Sequence, residues 1–131
     1  MNTRLVMGAS ALVMGALGLS ATFLPQEIAQ YLGASTVVTL PLLIQILGAL
    51  YFAFAMLNWM AKDSLLGGIY NRPVAMANLI HFTVGALALA KSAFANPTAI
   101  MIIVAAAIYV VFAIAFGMIF FTSPVRPVAD L

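Results

Sequence analysis

The run Asn58-Trp59-Met60-Ala61-Lys62-Asp63-Ser64-Leu65-Leu66-Gly67-Gly68-Ile69-Tyr70-Asn71-Arg72-Pro73 is a polar break between two long apolar stretches, 37–60 and 73–90. Such a break is the pattern of a chain that leaves a membrane and re-enters it. From Asn58 to Phe82 the sequence holds Lys62, Asp63 and Arg72, the single His, the single Trp and three of the five Asn residues. On either side the sequence is almost unbroken hydrocarbon.

Composition says the same of the whole chain. Its 131 residues are 66% hydrophobic and 6% charged, where soluble domains run at about 45–50% and about 25%. Five basic and three acidic side chains cannot cover a domain of this size in water, so lipid is the solvent for most of its surface. A net charge of +2, with no clustered Lys or Arg, excludes a nucleic-acid footprint. The chain has no cysteine, which removes disulfides, thiolate metal sites, iron–sulfur clusters and thiol nucleophiles from consideration.

A bilayer core of about 30 Å needs about 20 apolar residues in a helix. Four segments approach or exceed that length: 5–24, 37–60, 73–90 and 98–122. The third is the shortest and least apolar, because it carries Asn78, His81 and Thr83. The predicted fold is all-α, a single integral membrane domain built as a four-transmembrane-helix bundle. Arg4, the apolar run after it and Gly18, Ser20 and Ala21 also resemble a signal peptide, but the run is longer than a usual signal core, which favours a retained span.

Between spans one and two, Pro25 suits a first helical position, Glu27 suits the positive end of a helix dipole, and Gly33 is a good terminator. Ile28, Tyr31 and Leu32 share one face, opposite Gln26, Glu27 and Gln30, as in a short helix lying in the membrane interface. Pro41 in span two marks a helix start or a kink. The tail, 123–131, contains Pro124 and Pro127, which stop span four from continuing.

With four spans, the N-terminus, the central break and the C-terminus share one side of the membrane. That side carries Arg4, Lys62, Arg72 and Arg126; the other has only Lys91. The positive-inside rule then places both termini and the break of this multi-pass protein in the cytoplasm.

Lipid does not drive helices together, so small residues and polar contacts must. Span one offers Gly8, Ala11, Gly15, Gly18 and Ala21 as a small-residue groove; span three offers Gly85 and Ala88, and span four Ala106, Ala113 and Gly117. Polar residues recur at helical spacing as well. Gln45, Gly48, Tyr51, Ala55 and Asn58 form a stripe on span two, and Ala75, Asn78, His81, Phe82 and Gly85 form one on span three. Span four adds Tyr109. Polar groups in hydrocarbon are costly unless paired, so Gln45, Tyr51, Asn58, Asn78, His81 and Tyr109 are expected to turn inward as an intramembrane cluster.

His81 has two readings. It is a neutral imidazole clasping Tyr109, Tyr51 or Gln45 between helices, or a functional residue in a proton relay, on a haem or at a ligand. No second His, Cys or intramembrane acid could complete a metal site, so haem or quinone are the cofactors that remain open. In the break, Lys62, Asp63 and Arg72 make either a small ion-pair group or, through the two cations, an anion or headgroup site. Gly67-Gly68 permits a tight turn but lacks the rest of a phosphate loop. Trp59 and Tyr70 suit the interfacial aromatic belt. Glu27, Asp63 and Asp130 do not converge, so general acid–base catalysis is poorly served and the chain is expected not to be an enzyme.

One resemblance attaches to this layout. Arg4 leads a Gly-rich first span, Leu24-Pro25 opens a short piece closing on Leu32-Gly33, Leu47-Gly48-Ala49-Leu50 lies in span two, and a basic hinge leads into spans three and four. In these features the chain resembles the small bacterial four-helix membrane proteins of the DoxX-like group. The group includes accessory subunits of membrane redox systems and many proteins of unknown role, and the resemblance implies a place among them; it carries over no functional residue, and the cysteines used by some redox relatives are missing.

The sequence thus points to a non-enzymatic accessory or structural subunit whose partners are membrane lipids and other membrane subunits, or further copies of itself. An oligomeric channel or carrier through Gln45, Tyr51, Asn78, His81 and Tyr109 is the first alternative, and a haem- or quinone-binding module on His81 the second. Topology is directly testable. Single cysteines at Ser64 and Asn96 should react with an impermeant maleimide from opposite sides of the membrane; labelling from one side would overturn the four-span topology.

Overall fold

The computed structural model describes residues 2–34, 36–64 and 71–122. These form five helices and no strand: α1 (Thr3–Phe23), α2 (Pro25–Tyr31), α3 (Leu40–Ala61), α4 (Arg72–Ala95) and α5 (Ile100–Thr122). All but α2 are long and apolar enough to cross a membrane, so the chain has the makings of a multi-pass integral membrane protein. The Gly67-Gly68 turn, Tyr70 and the tail from Ser123 lie outside the described residues.

The helices fall into two compact units. In the first, residues 7–62, α1 and α3 run antiparallel and meet at glycine. A Cβ on Gly18 would stand 2.6 Å from the Phe52 backbone nitrogen and 2.9 Å from the Gly48 carbonyl oxygen. A Cβ on Gly48 would stand 2.7 Å from Thr22 Oγ1 and 2.8 Å from Thr22 N. The two backbones touch here, which only glycine allows, and the close approach maximises the dispersion contact that holds helices together in lipid. Farther along, Gly15 faces Ala55 at ordinary contact distance, whereas Gly8 has open space around it. The small-residue groove of span one is therefore tightest at Gly18, with Ala11 also buried and Gly8 left open.

Helix α2 begins with Pro25 and ends at Tyr31, with Leu32 as its C-cap, after which Gly33 takes φ 69°. The Ala34 amide donates to the Ala29 carbonyl at 3.0 Å and the Gly33 amide to the Gln30 carbonyl at 2.9 Å, the double bond that closes a helix through a left-handed glycine. Pro25 and Ala29 are buried, while Tyr31 and Leu32 are exposed. The face carrying Tyr31 and Leu32 is thus turned outward.

Pro41 occupies the first turn of α3 and starts that helix without kinking it, because a proline there gives up an amide that has no intrahelical partner.

The second unit contains α4 and α5, antiparallel around an aromatic core. Phe82 and Phe116 are fully buried; their rings stack at 5.6 Å between centroids with 8° between planes, and Phe112 stacks on Phe82 at 4.8 Å. Helix α4, at 24 residues the longest of the five, runs past the end of the apolar stretch 73–90. Lys91 does not end it: lysine is a good helix former, and Ser92–Ala95 continue the helix. Asn96 ends it with φ −131° and ψ 74°, as a residue before proline must, since Pro97 excludes the helical conformation there. The second unit also holds residues 2–6 and 63–64, where Arg4 Nε pairs with Asp63 Oδ1 at 2.8 Å on the exposed surface.

The Gly18–Gly48 contact makes a mutational prediction. Gly18→Ala should lower stability in an SDS-unfolding titration by about 1–3 kcal/mol, the usual cost of overpacking. Gly8→Ala should stay within about 0.5 kcal/mol of the parent.

Candidate functional site

Buried polar side chains in the spans are the natural place to seek a function, and each unit has its own set. Asn58 and Asn78 are fully buried, as is Ser10. In the first unit, the Asn58 Nδ2 donates to Ser10 Oγ at 3.1 Å and approaches Met14 Sδ at 3.9 Å. Ser10 Oγ in turn donates to the Met7 carbonyl at 2.9 Å. The result is a chain of two hydrogen bonds linking α3 to α1, placed by the same antiparallel register that brings Gly18 against Gly48. Gln45, one turn into α3 and exposed, donates from Nε2 to the Thr22 carbonyl at 3.3 Å. Tyr51 lies between them on α3, partly buried.

In the second unit Asn78 Nδ2 donates to the Val74 carbonyl at 2.9 Å, one turn back on α4. The Tyr109 hydroxyl lies 3.4 Å from His81 Nε2, a long and weak hydrogen bond. Ring contacts strengthen this pairing. His81 is edge-on to Phe82 at 5.1 Å and tilted against Tyr109 at 5.6 Å, and Phe82 is edge-on to Tyr109 at 5.2 Å. Gly85 makes room for the phenol: a Cβ there would stand 2.5 Å from Tyr109 Cε1. The glycine of the span-three stripe therefore seats a ring and not a neighbouring backbone.

Of the six intramembrane residues singled out in the sequence, Gln45, Tyr51 and Asn58 sit on α3, and Asn78, His81 and Tyr109 on the α4–α5 pair. Of the three partners considered for His81, Tyr109 is the one whose hydroxyl lies beside its ring. Among the described residues, no buried side-chain nitrogen or oxygen lacks a partner, and no three His, Cys, Asp or Glu side chains come together as a metal site. As an axial ligand through Nε2, His81 would have to release its contact with the Tyr109 hydroxyl.

The charged break differs from the expected ion-pair group. Asp63 pairs with Arg4 rather than with Lys62 or Arg72. Lys62 Nζ lies 3.0 Å from the centroid of the Trp59 ring, and Arg72 Cζ lies 5.2 Å from that of Phe120. Each cation covers an aromatic face one turn away or across the helix pair, a contact that needs no carboxylate.

Sequence reasoning missed Ser10, Thr22 and Arg4 as partners. Ser10 was findable: a serine inside a membrane span must face a partner, and it falls on the same helical face as Met7, Met14 and Gly18. Thr22 enters through its backbone carbonyl, on which side-chain identity is silent. Searches against family models, curated proteins and solved structures find no match.

The Asn58–Ser10 bond can be measured. A double-mutant cycle of Ser10→Ala and Asn58→Ala should give a coupling of about 0.6 kcal/mol, the average for such bonds in membrane helices, and below about 1.7 kcal/mol. A coupling of zero would mean that packing alone joins α1 to α3 at this level.

Proposed function

We propose that the chain is a non-enzymatic accessory or structural subunit of a larger membrane complex, working by lateral association in a bacterial inner membrane with both termini cytoplasmic. One observation carries the reading: among the described residues, every buried side-chain nitrogen and oxygen is already bonded. A catalytic or conducting site keeps polar groups in reserve for its substrate, at a cost in stability. Here the polar groups lock helices together, and what remains for a partner is the apolar outer surface, where Leu12, Val38, Leu87 and Phe121 all stand more than 60% exposed. The DoxX-like layout adds the expectation that the complex is a redox system.

A second reading rests on the His81–Tyr109 pair. His81 is only partly buried and lies in an aromatic setting, which suits a haem or a quinone. Tyr109 occupies one of its nitrogens, and this places the second reading below the first.

Native mass spectrometry of the protein gently extracted from its own membrane separates these readings. The expected result is co-migration with other membrane subunits. A homo-oligomer alone would overturn the accessory role and favour a channel or carrier. An added small-molecule mass lost in His81→Ala would favour the binding module.

A further inference from the structure

We propose that the α4–α5 pair binds one anionic phospholipid beside its connecting turn, with an acyl chain in the groove lined by Ala90, Ala93, Phe94, Pro97, Ile103 and Ala106 and the phosphate held by Lys91. The groove has a volume of about 380 Å³, within the roughly 300–1,000 Å³ typical of small-ligand sites. It exists because three of its lining side chains stop at Cβ. None of the six carries a hydrogen-bonding group, so whatever part of a ligand enters must be apolar.

Charge identifies the other end of that ligand. Lys91 follows Ala90 and precedes Phe94 by three residues on α4, which places it on the flank of the groove. It is exposed, and residues 71–122 contain no Asp or Glu. Lys91 makes no ion pair or hydrogen bond among the described residues, whereas Arg4 has Asp63 and Lys62 and Arg72 have aromatic rings. It lies four residues before the end of α4 at Ala95, about 6 Å along the axis at ~1.5 Å per residue. There the stem can follow the apolar surface while the ammonium reaches the headgroup layer. Phe94, 86% exposed beside it, adds apolar surface for the upper part of an acyl chain. A lipid that fills the groove with its tail brings a phosphate to this unmatched cation. A net negative headgroup suits it better than a zwitterionic one, whose own ammonium competes.

The test offers the detergent-purified protein an equal mixture of phosphatidylglycerol and phosphatidylcholine with identical acyl chains, and reads bound lipid by native mass spectrometry. The expected result is one phosphatidylglycerol retained in preference per chain. Lys91→Gln, an exposed change that leaves the fold alone, should cut that preference about fivefold, equivalent to roughly 1 kcal/mol for one basic residue at a lipid surface. Ala93→Phe, which fills the groove, should reduce retention of both lipids. Equal retention of the two lipids by the parent protein, or an unchanged preference in Lys91→Gln, would overturn the proposal. So would a photoreactive residue at Phe94 that captures a second copy or another protein instead of lipid.

Discussion

Hydrocarbon offers no hydrogen bonds, and that constraint governs every polar residue in these spans. Helical backbone satisfies itself; side chains must find something else. Asn58 finds Ser10, Ser10 finds the Met7 carbonyl, Gln45 finds the Thr22 carbonyl, and Asn78 finds the Val74 carbonyl. Two of these bonds join α1 to α3, and the others return to the helix they come from. The polar content of the spans is thereby turned into geometry: it fixes which residues of one helix stand opposite which of the next.

The two units achieve close packing by opposite means. Between α1 and α3, side chains are removed: Gly18 and Gly48 let backbone meet backbone. Between α4 and α5, side chains fill the space, with Phe82, Phe112 and Phe116 stacked and Tyr109 seated in the gap over Gly85. The first solution gains many weak contacts at short range and tolerates almost no enlargement. The second relies on large flat groups whose offset and edge-on contacts are each favourable, and it leaves a shallow gap where the aromatic layer gives way to Ala90, Ala93 and Ala106.

Much of this is legible in the residues. Four spans follow from the length of the apolar runs, and α2 from Pro25, Glu27 and Gly33. Ala55, Asn58, Asn78 and Phe82, chosen for helical spacing, are all buried. What was not legible depends on distance in space rather than spacing in sequence. Asp63 could have met Lys62 or Arg72 near it in sequence; Arg4, on the far side of two spans in the chain, is the one that reaches it. Hydropathy drops at Lys91, although helix geometry ends only at Asn96, because the apolar limit of a span and the steric limit of a helix are set by different forces. Likewise Gly8, Gly15 and Gly18 share one face, and only the crossing of α1 and α3 selects Gly18 for the tightest approach.

The bond from Ser10 to the Met7 carbonyl has a bearing on how the protein is made. Ser10 and Asn58 are 48 residues apart, so at about 5–20 residues per second the ribosome completes α1 several seconds before its amide partner emerges. During that interval α1 is surrounded by lipid with a serine in its wall. The hydroxyl's donor is already engaged within its own helix, so the first span can enter and wait as an independent unit. When Asn58 arrives it adds a bond to an oxygen that still has acceptor capacity, and insertion need not be reversed for α1 and α3 to join.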